Sequence, residues 1–385
     1  MGTNLSRELR KYYTRKGNRI LFSNKMTLNQ LAWEVWERLG CEEVDPSVLS
    51  RVLGGSRILS PKQLRCFCQI LNINGFKRSV LFQSLYEDVL LRTGMSSKFL
   101  CSRDEIVIKL IEENYIKIQD AQEKGLPLLV IDWSQLLVDK IDELLPYVYT
   151  IENQKRLLGL EGRLLVIIDQ CKIVSDEPDK VLFTIDKSAR KLREIGSYLG
   201  NKDFIGTSYL NLGNSYYDCE DYQKALEFFS KASALMSITF GNNISETPFR
   251  ALALSSAYLK KKKEYQYAKK VLINNLGRYP IDIKGYIMEA LGRCEAMFGN
   301  RKESERLLSQ SEDLLKEIKV QKLKYESLRE VQLTRSLIEA NLLLGSKVSS
   351  NYLNKLGDVG INIAEGHGYM FYGNKIKELL NRVMI

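Results

Sequence analysis

Histidine is almost absent from this sequence: His367 is the only one in 385 residues. It sits in the glycine-flanked stretch EGHGYM, with no Ser or Cys motif that would pair a nucleophile with a base, and reads as a loop or capping residue. Phosphate-binding loops of the GxxxxGK[ST] kind are missing, as is a dinucleotide glycine fingerprint after a strand. An enzyme is therefore not expected, nor a cofactor. The seven cysteines (Cys41, Cys66, Cys68, Cys101, Cys171, Cys219 and Cys294) are odd in number and scattered. Only Cys66 and Cys68 lie close, and two residues apart on a helix they point to different faces. Reduced core thiols are expected, and no metal site or disulfide framework. The longest apolar runs, such as Leu128 to Ile131 and Leu164 to Ile168, fall far short of the roughly 18 residues that cross a bilayer. Met1 to Arg19 is basic but lacks an apolar block with a cleavage site, so the expectation is a cytoplasmic protein without membrane contact. Proline is scarce too, at seven residues, while Leu, Lys, Glu and Tyr abound. That balance predicts an all-α protein with almost no sheet.

Positive charge is present and unevenly placed. Residues 1 to 80 hold 14 Lys or Arg and 6 Asp or Glu, a net of +8 out of +10 for the whole chain. So short a segment carrying most of the net charge suits a polyanion, and nucleic acid is the leading partner for this end.

The same segment reads as a chain of short helices. Leu5 to Lys16 forms the first, ended by Gly17 and Asn18. Thr27 caps a second with Leu28, Leu31, Ala32, Val35 and Leu39 on one face, stopped by Gly40. Asp45 and Pro46 start a third of barely two turns, with Val48, Leu49, Val52 and Leu53 inward until Gly54 and Gly55. Ser60 and Pro61 repeat the start signal for a fourth, which buries Leu64, Phe67, Cys68 and Leu71, and a longer helix follows from Phe76 to Arg92. Trp33 and Trp36 read as packing residues, not as platforms for bases.

Two short helices joined by a glycine turn, inside a bundle of about five, describe a helix-turn-helix. The stretch PSVLSRVLGGSRILSPKQL resembles the Cro and lambda-repressor type, over about residues 5 to 75. The connection from Cys41 to Asp45 is longer than the turn usual in that family. A recognition helix needs short polar side chains near its N-terminus to approach base edges, with basic ones at its margins for phosphate. Ser47, Ser50 and Arg51 fit the first role. Arg57, Gln30 and Lys62 fit the second, since helix starts also favour phosphate.

Beyond this domain, residues 76 to 150 read as connecting helices, and further helices are predicted near 103 to 123, 133 to 148, 152 to 174 and 179 to 199. Then a periodic motif appears. GTSYLNLGNSYYDCEDYQKALEFFSKASALM places Tyr209, Leu212, Gly213, Tyr216, Ala225, Phe229 and Ala232 at places 4, 7, 8, 11, 20, 24 and 27 from Gly206, and resembles the tetratricopeptide repeat. Starting at Phe249, the template takes Leu252, Ser256, Leu259, Ala268, Leu272 and Pro280; starting at Gly285, it takes Met288, Leu291, Gly292, Ser304 and Leu308. The clearest repeats are thus 206–239, 249–282 and 285–318, within a repeat domain over 151–385 whose segments 151–199 and 324–380 read as degenerate or capping pairs.

The resemblance implies a right-handed superhelix with a concave face lined by the first helix of each pair, at places 2, 5, 9, 12 and 13 with place 6 at the margin. Those places hold Asn211, Asn214 and Tyr217 in the first repeat, Arg250 in the second, and Tyr286, Glu289 and Arg293 in the third. Asn carries both donors and an acceptor, so paired Asn residues suit the backbone amides of an extended peptide, and nearby cations suit its carboxylate. The run KKKK at 260–263 reads as a solvated helix end. Taken together, the architecture is similar to that of the peptide-sensing transcription regulators of bacteria and phages. That likeness implies a homodimer on double-stranded DNA, two recognition helices about one helical turn apart, and a short linear peptide in the groove. The alternative is a repeat scaffold for a protein partner, its N-terminal helices used for docking.

Overall fold

The computed structural model describes residues 2–17, 19–40, 45–94, 97–236, 246–321, 326–345 and 349–383. The chain divides into two compact units, 1–114 with 137–161 and 115–136 with 162–385. The expected all-α class holds, with 18 α-helices and a single two-stranded sheet among the described residues.

In the first unit, α1 (Asn4–Leu9) is followed by β1 (Tyr13–Lys16), β2 (Arg19–Phe22), α2 (Leu28–Arg38), α3 (Pro46–Leu53), α4 (Pro61–Ile70) and α5 (Gly75–Thr93). The start signals act as read. Thr27 and Ser60 each form a capping box, with Gln30 and Gln63, and the Asp45 carboxylate accepts from the Ser47 amide ahead of Pro46. Leu5, Leu9, Leu31, Leu49, Val52, Leu64 and Phe67 close one core with Leu81, Phe82 and Leu85. That last contribution brings α5 into the unit, which extends past the boundary drawn at residue 75. Three further helices follow: α6 (Ser97–Glu123), α7 (Pro127–Leu144) and α8 (Ile151–Ser175).

The first helix is shorter than expected. Instead of running to Lys16 it ends at Leu9, and after a 3₁₀ turn the chain enters an antiparallel hairpin pairing Tyr13 with Phe22 and Lys16 with Arg19. Tyr12, Tyr13 and Thr14 favour extended backbone, and the Tyr13 ring meets Phe22, which in turn sits edge-on to the buried Phe67. Tertiary packing therefore overrides the local helical reading. The reading of both tryptophans as packing residues also needs correction. Trp36 is 7% exposed, whereas Trp33 is 56% exposed. The connection 41–44 lies outside the described residues.

In the second unit, α9 (Pro178–Leu199), α10 (Lys202–Asp218), α11 (Tyr222–Leu235), α12 (Glu246–Tyr258), α13 (Lys262–Asn275), α14 (Ile281–Met297), α15 (Arg301–Gln321), α16 (Glu326–Leu344), α17 (Ser350–His367) and α18 (Met370–Val383) pack largely in consecutive pairs. Helix α10 lies on α11, α12 on α13, α14 on α15 and α17 on α18, while α12, α14 and α16 also pack side by side. A small residue opposite a large one sets the spacing. A Cβ on Gly213 would stand 2.5 Å from the Phe229 ring, and one on Gly292 would stand 2.8 Å from Leu308. These are the same two places of the sequence template; in the repeat between, they hold Ser256 and Leu272, both fully buried.

Candidate functional site

Two surfaces collect the residues singled out in the sequence, one in each unit. On α3 the structure joins Asp45, Ser47 and Arg51. The Ser47 hydroxyl donates to Asp45 Oδ2 at 2.8 Å, and Arg51 Nη2 donates to Ser47 Oγ at 2.6 Å and to Asp45 Oδ2 at 3.3 Å. Those hydrogen bonds from Ser47, followed by the field of Arg51, hold the Asp45 carboxyl below its usual range. Ser50, Arg57 and Lys62 are exposed without being drawn into this cluster. Gln30 is exposed too, its side-chain oxygen engaged by the Thr27 amide at 2.9 Å in the capping box.

In the second unit, Asn214 and Tyr217 of α10, Arg250 of α12, and Glu289 and Arg293 of α14 line one cavity of about 130 Å³. Tyr286 is set behind it, its ring covered by the Arg250 and Arg329 guanidiniums, and lines a smaller neighbouring space with Glu289 and Gln332. Asn211 does not reach the cavity. It is 2% exposed and donates to Asp169 Oδ2 at 3.0 Å, while Ser188 Oγ donates to Asp169 Oδ1 at 2.6 Å. Place 6 of the template therefore faces the preceding helices here, because a buried carboxylate needs donors more than the groove needs another amide. Burial pushes the Asp169 carboxyl up to about 7 despite those two bonds.

Asp218, Gln332, Arg335 and Tyr372 add polar groups to the lining and were not chosen from the sequence. Asp218 occupies place 13 of the first repeat, so the template contained a signal for it. Gln332 and Arg335 on α16 and Tyr372 on α18 come from segments with poor consensus, where only the fold brings them in. A second cavity of about 310 Å³ adjoins the first across Tyr217, Asp218 and Arg335, and the stacked rings of Tyr222 and Tyr258, 4.2 Å apart, help to line it.

The lining is rich in arginine, and of its acids Glu289 is already engaged. Arg293 Nη2 donates to Glu339 Oε2 at 2.7 Å and lies 3.4 Å and 3.5 Å from the hydroxyls of Tyr258 and Tyr217. Tyr258 OH donates to Glu339, and Ser336 Oγ donates to Glu289. Burial alone would raise the Glu339 carboxyl, but Arg293 and Arg335 outweigh it and hold it down. Asp218 shows the opposite balance: burial carries it up to about 7 against the pull of Arg335, Lys375 and Arg293. Several donors nevertheless have no hydrogen-bond partner in the protein. Among the described residues these are Nε of Arg250, Arg293 and Arg335, with Nε and Nη1 of Arg329, against a single comparable acceptor nearby, Oε1 of Gln332.

No protein-family model matches the chain. Nor does any curated protein match it. The residues themselves carry the functional reading. Among the described residues no cluster of His, Cys, Asp or Glu is placed to hold a metal ion, and no helix is long and apolar enough to cross a membrane. His367 ends α17, its ring stacked on Tyr369 and its Nδ1 3.4 Å from the Gly125 carbonyl.

Proposed function

We propose that this chain is a sequence-specific DNA-binding regulator of transcription whose helical repeats bind a short linear peptide. The observation that supports the peptide reading best is the excess of buried, unpartnered guanidinium donors around a cavity that five of the seven residues expected in the groove also line. A buried donor without an acceptor costs about 1–3 kcal/mol, so a ligand rich in acceptors gains by entering. A peptide's terminal carboxylate offers acceptors only, matched to guanidinium forks. Asn214 and Gln332 supply carboxamides that pair with peptide bonds.

For the DNA reading, the support is the exposed Ser47–Arg51 cluster at the start of a capped two-turn helix, within the first 80 residues, which carry a net +8 of the chain's +10. The working form in this reading is a cytoplasmic homodimer on a palindrome, and the peptide acts by binding one conformation of the repeats more tightly than another.

Selection from random duplex DNA at about 150 mM salt, where non-specific phosphate contacts are weakened, tests the first half. The expected result is an enriched palindrome with half-sites about one turn apart, lost with Ser47→Ala/Arg51→Ala while the helical content is kept. A folded protein that enriches nothing refutes the DNA reading and leaves a repeat scaffold for a protein partner.

A further inference from the structure

From Leu9 to Trp33 the chain carries six Lys or Arg and no Asp or Glu. The structure gathers most of these around the β1–β2 hairpin. Tyr13, Ile20 and Phe22 fasten it to the core of the first unit, and Asn24 Nδ2 donates to the Ile70 carbonyl at the end of α4 at 3.4 Å. Arg15, Lys16 and Arg19 all remain exposed.

Two features set this hairpin apart from an ordinary solvated edge. Lys16 and Arg19 are direct cross-strand partners at its tip, and like charges directly opposite destabilise a strand pair. Charges do protect short edges from pairing with other sheets, but alternating signs would serve that end without the repulsion. The second feature is position. Leu21 of β2 bridges Thr27, the N-cap of α2, so the hairpin continues directly into the helix start assigned to phosphate through Gln30.

We infer that the β1–β2 hairpin is a second nucleic-acid contact, in which Arg15, Lys16 and Arg19 grip the phosphate backbone on the side of the α2 start. A polyanion relieves the Lys16–Arg19 repulsion, and the aromatic anchoring keeps the cations ordered before binding. Contacts of this kind add affinity and hold register without reading bases. The inference rests on the DNA reading above but is tested without the operator.

The probe is a fluorescent mixed-sequence duplex of about 30 base pairs, titrated with the full chain from about 50 to 200 mM salt, a range over which phosphate contacts dominate. Arg15→Gln/Lys16→Gln/Arg19→Gln should bind about tenfold or more weakly at the lowest salt. Its slope of log affinity against log salt should be shallower by about 2 to 3, since each phosphate contact contributes about 0.9. Lys180→Gln/Lys262→Gln/Lys263→Gln removes the same charge from exposed helical positions of the second unit and should leave the slope unchanged. Thermal melting by circular dichroism checks that both variants fold. A hairpin variant with the wild-type slope overturns the inference while leaving the DNA reading intact. Equal losses in both triple variants also overturn it, because net charge then explains the effect. Wild-type protein that fails to bind the duplex even at about 50 mM salt overturns both readings.

Discussion

Asp218 sits in an environment far from the one its type suggests, and it makes a measurable prediction. Its carboxyl is pushed up to about 7 in the fold by burial, while in the unfolded chain it titrates near about 4. As pH rises through that window the unfolded chain releases this proton first, so the folded state loses stability relative to it. The loss should grow from about pH 4 and level off above about pH 7. Asp218→Asn has no such proton, so the stability of wild type relative to the variant should decline across the window in urea melts at stepped pH. Parallel curves would mean that Asp218 is solvated. Asn211 carries the complementary lesson at this scale. Its place on the helix was legible, but its partner Asp169 lies 42 residues away, a proximity that only the fold creates. Arg335 and Tyr372 stayed hidden for the same reason.

At the scale of elements, sequence was most informative where one side chain decides the backbone. Asp45–Pro46, Ser60–Pro61 and Thr27 each begin a helix because a capping oxygen satisfies an otherwise free amide. It was least informative at the hairpin, where Phe22 and Phe67, far apart in sequence, choose strand over helix. Helix pairing has a local signature as well, and it can be tested. Gly213→Ala puts a methyl group 2.5 Å from the Phe229 ring, and overpacking of that kind costs about 1–3 kcal/mol. Gly159→Ala in α8 meets nothing within 4 Å and should instead stabilise by about 0.5–1 kcal/mol through helix propensity. Trimming the facing ring in Gly213→Ala/Phe229→Leu should recover part of the loss. Denaturant midpoints for the three variants separate close helix packing from a general intolerance of substitution, and equal effects at 213 and 159 would remove Gly213 as the spacer of α10 and α11.

Over the whole molecule, the proposal joins two activities, and linkage sets what must be seen if they belong together. A peptide that changes operator affinity by some factor must have its own affinity changed by the same factor when operator is bound. The change is limited by the peptide's preference for one conformation over the other, and a peptide indifferent to both shifts nothing however tightly it binds. The cavity chemistry says which peptides to try. The free donors of Arg250, Arg293 and Arg335 favour an unblocked C-terminus, so amidating a selected peptide should weaken it by tenfold or more, in line with the roughly 1.5–3 kcal/mol of a hydrogen bond to a charged group. Arg250→Gln should weaken the free acid while leaving the amide nearly unaffected, and calorimetric titration of both forms against both proteins gives the four affinities needed. Were the amide and the acid to bind alike, the arginine-lined cavity would not be a carboxylate site. A peptide that instead passed this test but left operator affinity unchanged would make the repeats a binding module uncoupled from DNA.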